Sequence, residues 1–361
     1  MSLLRSRPRT RINFFLTPWS SPKGSLHAPG RFSAEINKQT IAVVSRTNRT
    51  IKRAWPITPG NGVIPFPLRL PSCHRVMPRS CSWNEQGTQG QGREMMDAVS
   101  EPRRITIHRT EDFQFMHAAG RLAAATLDMV TPHVRPGITT GELDRLCHEF
   151  IVGHGAVPAT LNYRGYPKSS CISINHVVCH GIPSERKLDP GDILNIDITV
   201  ILDGWHGDTS RMYVAGEPSV KARRLIDITY SALMRGIEAA RPGGYFGDIG
   251  YAIQSYAEAQ RCSVVRDFCG HGIGRAFHEP PNVLHFGRPG EGPELRPGMF
   301  FTVEPMLNLG RREVKILDDG WTAVTRDRSL SAQFEHMIGI TETGYENFTL
   351  SPAGYTKPPY S

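Results

Sequence analysis

Several signatures are missing from this 361-residue sequence, and each absence removes a class of explanation. The seven cysteines (Cys73, Cys81, Cys147, Cys171, Cys179, Cys262 and Cys269) are odd in number and contain no CxxC pair. That argues against a disulfide framework and a zinc finger, and favours a reducing compartment. No run approaches the roughly 20 apolar residues of a membrane span. The N-terminus also lacks an apolar signal-peptide core followed by a small-residue cleavage site, so the sequence predicts a soluble protein that is not secreted. There is no G-x-S-x-G elbow, no P-loop and no H-E-x-x-H. The glycines around His271 form an incomplete G-x-G-x-G, and Pro280-Pro281 forbids the helix that a dinucleotide loop requires.

Acidic residues are nearly absent from the first quarter. Residues 1–92 hold fourteen Lys or Arg against Glu35 and Glu85 alone, a net of +12, which leaves −4 on the remainder of a chain whose formal charge is +8. The pI of 9.2 therefore gives little support to a nucleic-acid protein, and no recognisable binding module stands behind it. Residues 1–98 are rich in Arg, Ser, Pro and Gly without sustained periodicity, a composition that predicts a disordered basic extension. Two origins fit: an organelle transit peptide, or upstream sequence before a true start at Met95 or Met96. We favour the second, because so long a transit peptide with so little amphipathic pattern is unusual. A cytoplasmic location follows, with mitochondrion or plastid as the alternative if residues 1–98 are a transit peptide.

From about residue 99 to 353 the texture becomes that of a folded domain. Arg135 to Leu143 (RPGITTGEL) and Arg241 to Ile249 (RPGGYFGDI) share a pattern, as do Leu188 to Asp197 (LDPGDILNID) and Leu295 to Glu304 (LRPGMFFTVE), at offsets of 106 and 107. Two matches at nearly one offset indicate a duplicated fold. Met116, Ala119, Ala123, Leu127 and Val130 mark one helical face that stops before Pro132, and Thr139 with Glu142 predicts a capping box opening a second helix closed near Gly153. Ile226, Tyr230, Leu233, Ile237 and Ala240, then Asp248 to Tyr256, give the equivalent pair. Strands follow each pair, so the fold class is α+β, with antiparallel sheets covered on one side by helices.

The repeat ends each time in a carboxylate at the tip of an apolar strand, Asp197 or Glu304, where a lone negative charge is costly to bury. Asp203-Gly204 between two apolar runs is a strong hairpin signal. With those residues as the turn, Asp197 lies opposite Ser210 and Asp208 opposite Thr199, so both acids project from one face as diagonal neighbours. The second half supplies Glu304 and, on a returning strand, Glu335, with a further hairpin around Asp319-Gly320. Four converging carboxylates repel one another unless cations neutralise them, and hard oxygen ligands in that number suit two divalent ions. His271 and His180, each beside a glycine, and His278 four residues after Gly274 add candidate ligands or proton donors. A dinuclear carboxylate site without phosphate-binding elements points to metal-assisted hydrolysis.

These motifs together carry a family resemblance. The segments YRGYPKSSCISIN, VVCHGIP, NIDITVILDGWHGDTSRMY, CGHGIGRAFHEPP, FTVEPM and DRSLSAQFEHMI stand in the order found in type I methionine aminopeptidases, and residues from about 100 to 350 resemble that family. The resemblance implies the duplicated pita-bread fold with its pseudo-two-fold axis. It implies Asp197, Asp208, His271, Glu304 and Glu335 as ligands of two divalent ions, drawn from Co, Mn, Fe and Zn. It makes Glu304, His278 and His180 catalytic, and places the substrate methionine among His180, His278, Tyr163, Tyr166, Cys171, Phe277 and Trp321. One departure is Thr160, where many bacterial members carry cysteine. The implied activity is removal of the initiator methionine from nascent polypeptide N-termini, met at the ribosome, with a small second residue preferred, by a hydroxide bridging the two ions. The implied state is a monomer with no membrane partner and no specific nucleic acid. Two rivals remain: an aminopeptidase or dipeptidase acting before proline on the same fold, and a binding protein that has lost its metals.

Overall fold

The computed structural model describes residues Arg104–Tyr360. The expectations for residues 1–98 lie outside the described residues.

Four helices organise the fold in two pairs: α1 (Phe113–Val130) with α2 (Thr140–Gly153), and α3 (Val220–Ala239) with α4 (Phe246–Ala259). The α2 and α4 limits differ by 106 residues at both ends, which is the spacing of the RPG repeats that precede them. The apolar stripe foreseen on α1 is fully buried at Met116, Ala119, Ala123, Leu127 and Val130. Each of its larger side chains contributes about 1.5–3 kcal/mol by leaving water. Only half of the expected capping box forms. Thr139 Oγ1 accepts from the Glu142 amide (3.1 Å), but the Glu142 carboxylate pairs with Arg145 at 2.7 Å instead of reaching back to the cap. An arginine one turn along offers a charged partner that outcompetes a backbone N–H.

In the first half, Asp203 and Gly204 both adopt positive φ (51° and 78°), the type I′ geometry whose twist matches that of paired strands. The hairpin they close pairs Ile193–Leu202 with Trp205–Val214 over ten registered positions, including Asp197 with Ser210 and Thr199 with Asp208. Cys171–Ile174 flanks it, with Cys171 opposite Asp197. Helices α1 and α2 cover this sheet through a core that includes Leu127, Leu143, Ile151, Ile196 and Ile198.

The second half departs from a simple hairpin. The strand Phe300–Val303 pairs with His336–Ile340, and Met306–Asn308 pairs with Ser331–Gln333, so two long strands run antiparallel but are both interrupted at one level. The interruption holds Glu304 and Pro305 on one side and Phe334 and Glu335 on the other. Proline has no N–H to donate, so the ladder opens there. The described residues thus contain four hydrogen-bonded sheets in place of two continuous ones. The Glu335 amide donates to Ser210 O (3.1 Å), forming an isolated bridge that ties the broken strand to the first hairpin at the residue facing Asp197. A core of α3, α4 and second-half strand residues, among them Leu233, Ile253, Phe301 and Ile338, backs this side. The hairpin expected near Asp319-Gly320 pairs Val314–Ile316 with Ala323–Thr325, which in turn pairs with Val177–Cys179 and carries Trp321 toward His180.

Candidate metal centre

The broken ladder and the tight hairpin deliver acids from both halves to one place. Asp208, His271 and Glu335 each offer a ligand atom, and these atoms all lie within 4.8 Å of one another. His271 Nε2 stands 3.6 Å from Asp208 Oδ2 and 3.7 Å from Glu304 Oε1. Asp197 neighbours Asp208 diagonally across the hairpin, as the period-two alternation requires.

Glycines make room for the histidine. A Cβ on Gly270 would strike the Thr302 carbonyl, and one on Gly272 the Pro280 carbonyl, so the strand bearing His271 fits between its neighbours only with glycine on both sides. The His271 Nδ1–H donates to the Gly272 carbonyl (3.1 Å), which fixes the tautomer and leaves the Nε2 lone pair facing two carboxylate oxygens. That lone pair faces two carboxylate oxygens at 3.6 and 3.7 Å, an arrangement that suits a shared cation.

Burial and mutual repulsion act in one direction on the acids. Asp208 is pushed up to about 7, chiefly by burial. Asp197 rises through burial and then the Asp208 charge, while Glu304 and Glu335 rise through burial and then Asp208. His271 is lowered to about 4 by burial, which keeps it neutral and able to coordinate. Among the described residues, no Lys or Arg forms an ion pair with these four acids; His271 alone is near enough. Four acceptor-only oxygen donors and one neutral imidazole, without a protein cation to balance them, form a set that suits divalent metal. An Nε2 to carboxylate separation near 3.6 Å is close to the edge of a coordination polyhedron with roughly 2.1 Å bonds.

Partners that the sequence did not single out hold these groups in place. Thr302 Oγ1 donates to Glu304 Oε1 (2.8 Å) and Gln333 Nε2 to Glu304 Oε2 (3.2 Å), so both oxygens of that carboxylate are oriented. The Glu304 amide donates to His285 Nε2 (3.1 Å), and Thr199 Oγ1 donates to Asp208 Oδ1 (2.8 Å). Thr199 was legible as the residue facing Asp208. Gln333 sits two residues before Glu335 in the sequence, the signal that could have exposed it. Nothing local in the sequence marks His285.

The remaining expected residues fall into two aromatic groups beside the acids. Tyr163, Phe277 and His278 pack with ring centroids 4.1–5.3 Å apart, and His278 lies 4.2 Å from the His271 ring. Tyr163 Oη is 2.9 Å from His278 Nδ1. His206, also unforeseen, stacks on Phe277 at 5.7 Å. In the second group Trp321 meets Tyr166 at 5.2 Å and His180 at 6.1 Å edge-on. Tyr166 is buried with its hydroxyl directed to the Ser170 and Gly181 carbonyls, and Cys171 is buried on the strand beside Asp197. His180 is lowered to about 4 by burial and is therefore neutral.

Comparison with known proteins points to one family. Residues 114–342 match the model of metallopeptidase family M24. The chain is 61% identical over 257 residues to a methionine aminopeptidase of Rickettsia prowazekii, covering 71% of this chain and 99% of that protein. It is 54% identical over 248 residues to a methionine aminopeptidase of Escherichia coli K12, covering 68% and 94% respectively. The crystal structure of methionine aminopeptidase from Rickettsia prowazekii superposes with a TM-score of 0.68 at 61% identity, covering 68% of this chain and all of that one. The duplicated fold expected from the repeats, and its pita-bread form implied by the resemblance, are thus present, and the chain belongs to metallopeptidase family M24.

Proposed function

We propose that this protein is a methionine aminopeptidase that hydrolyses the bond after the initiator methionine of newly made chains, preferring a small second residue. The observation that carries the proposal is the convergence of Asp208, His271 and Glu335 within 4.8 Å, with Glu304 3.7 Å from the same imidazole nitrogen. The relatives named above act, by their names, as methionine aminopeptidases.

Asp197, Asp208, His271, Glu304 and Glu335 would hold two divalent ions. When bound, such a pair would supply the Lewis acidity that lets water act as a nucleophile near neutral pH. The chain's own groups do the rest. Glu304, with both oxygens oriented by Thr302 and Gln333, accepts the proton that the attacking water gives up. With the Tyr163 hydroxyl donating to Nδ1, His278 carries its proton on Nε2, where it can donate to the oxygen that becomes negative in the transition state. Burial first, then His271 and Arg164, keep His278 below the ordinary histidine range and so neutral. His180, also neutral, is a donor or acceptor for the scissile nitrogen. Tyr163, Tyr166, Cys171, Phe277 and Trp321 offer polarisable and aromatic surface that suits a thioether side chain.

Among the described residues no helix is long and apolar enough to cross a membrane. We place the enzyme in the cytoplasm, acting as a monomer on nascent N-termini at the ribosome. The test of function is a peptide panel. Metal-supplied protein should release methionine from Met-Ala-Ser, slow markedly on Met-Leu-Ser, and lose activity to a chelator. Cleavage of Ala-Pro dipeptides with Met-Ala-Ser untouched would transfer the protein to the proline-directed branch of the fold.

A further inference from the structure

The loop 273–278, which carries Phe277 and His278, joins the strand Gly270–Gly272 to the strand Glu279–Val283. Its first part is pinned from the hairpin of the first half. The Gly274 carbonyl accepts from the His206 amide (2.9 Å) and from His206 Nδ1 (3.1 Å). Arg275 donates to the Asp203 carbonyl (3.3 Å) and lies over the Trp205 ring at 4.4 Å. These anchors stop short of Phe277. The ladder beyond the loop is irregular, because the register shifts between His271 and Gly272 where Glu279 enters it. What holds that far end is the Glu279 side chain. Its Oε2 accepts from Thr106 Oγ1 (3.0 Å), and its Oε1 stands 3.8 Å from His108 Nε2.

Thr106 and His108 belong to a short strap ahead of α1 that is seated in a slot cut to its shape. The His108 amide donates to the Gly298 carbonyl (2.8 Å), and a Cβ on Gly298 would strike the His108 carbonyl. The His108 ring stacks flat on Phe300 at 4.2 Å, while its Nε2 is buried without a hydrogen-bond partner. Gly274 closes the arrangement. A Cβ there would lie 2.8 Å from His108 Cε1 and 3.1 Å from Glu279 Oε1, so imidazole, carboxylate and loop meet only because the residue is glycine.

We infer that Glu279 is a positioning residue: clamped by Thr106 and His108, it fixes the end of the loop and so holds the His278 imidazole beside the His271 ring, 4.2 Å away. Its carboxylate is turned to the strap, so it acts through its neighbour. The inference rests on the reading of His278 as the donor to the oxygen that becomes negative in the transition state. Misplacing such a group by about 1 Å can cost up to about 10²-fold in rate. Removing a contact with an exposed threonine costs little stability by comparison.

The test is a mutant cycle on the full-length, metal-supplied protein acting on Met-Ala-Ser: wild type, E279A, H278A and E279A/H278A, with metal per chain measured for each. E279A should lower kcat about tenfold with KM and metal content kept, and the double variant should be no slower than H278A. A role confined to stability or to the metal ligands would slow H278A by the same factor as wild type. That additive result overturns the inference, as does wild-type kcat in E279A. Should E279A fail to fold, T106V takes its place in the cycle, with kcat lowered about threefold in wild type, unchanged in H278A, and restored by T106S, which keeps the donor. Full turnover by T106V then overturns the inference. Hydrogen exchange on chelator-treated protein gives a reading free of catalysis. The Ile273 and Gly274 amides, which donate to the Phe300 and Ala276 carbonyls, should exchange at least about threefold faster in E279A or T106V than in wild type, and equal rates overturn the clamp. Wild type without turnover would count against the peptidase reading and leave the exchange result to decide.

Discussion

Replacing Asp208 with asparagine is expected to have opposite effects with and without bound metal. The folded protein holds the Asp208 carboxyl at about 7, against an ordinary value of 3.8, mainly because it is buried. A folded value above the unfolded one means that the native state binds the proton more tightly. Below about pH 4 both states are protonated and the group contributes nothing. Between about pH 4 and 7 the unfolded chain ionises while the folded one does not, so stability falls by about 1.4 kcal/mol per pH unit. Above that window the metal-free protein carries the full cost of about 4 kcal/mol. Asparagine keeps the volume and can still accept the Thr199 Oγ1 hydrogen bond (2.8 Å), but carries no charge. Chelator-treated D208N should therefore be more stable than chelator-treated wild type, by about 4 kcal/mol at pH 8 and by less than half of that at pH 5. At about 2–4 °C per kcal/mol for a body of this size, the difference at pH 8 is about 8–16 °C. The buried neutral histidines, His180 and His271 among them, weaken both proteins as pH falls, and cancel in the comparison. Saturating Mn should reverse the order, since binding of two ions to the folded state at a thousandfold excess over Kd adds about 8 kcal/mol to wild type and far less to the variant. The assay is differential scanning calorimetry at pH 5, 6.5 and 8, with and without metal. A chelated variant no more stable than chelated wild type at pH 8, or a difference that ignores pH, would mean that burial does not raise the Asp208 carboxyl in the folded protein.

Three further outcomes follow. E304Q should retain its fold and lower kcat on Met-Ala-Ser by about 10²–10⁴-fold, because the proton acceptor is lost while the Thr302 hydroxyl can still donate to the remaining amide oxygen; wild-type turnover in metal-replete buffer would remove Glu304 from the chemistry. Y163F removes the hydroxyl 2.9 Å from His278 Nδ1 and should lower kcat about tenfold with metal content intact, so metal loss in this variant would show that the pairing serves the ligands instead. G272A places a methyl against the Pro280 carbonyl and should destabilise the protein by more than about 2 kcal/mol, measured by urea unfolding; a smaller loss would mean that the strand can shift to accommodate it.

How far the sequence alone reaches depends on how local the cause is. The Asp203-Gly204 turn needs positive φ at two adjacent residues, few dipeptides supply that cheaply, and the whole register from Ile193 to Val214 follows from it. The placement of Asp197 relative to Asp208 was legible for that reason. The apolar stripe of α1 and the matched limits of α2 and α4 were legible from periodicity and repeat. The double interruption at Glu304-Pro305 and Phe334-Glu335 was not, because it depends on which strand opposes which, across a loop of some thirty residues. The partners of Glu304 were hidden for the same reason. His285 reaches it from the bend after Glu279–Val283 and Gln333 from the strand Ser331–Gln333, and only the assembled fold brings them together. Arg145 displaced the second arm of the expected cap, a competition among neighbours that a two-residue motif does not record.

On the proposed function, acids from both halves, with His271, hold divalent cations on which hydrolysis depends. The direct measurement is metal bound per chain by plasma mass spectrometry during titration of chelator-treated protein, with Met-Ala-Ser turnover recorded on the same samples. Turnover that rises with metal occupancy in wild type, toward two ions per chain, and fails to rise in D208N is the predicted result. Full turnover by protein stripped to negligible metal content would contradict it.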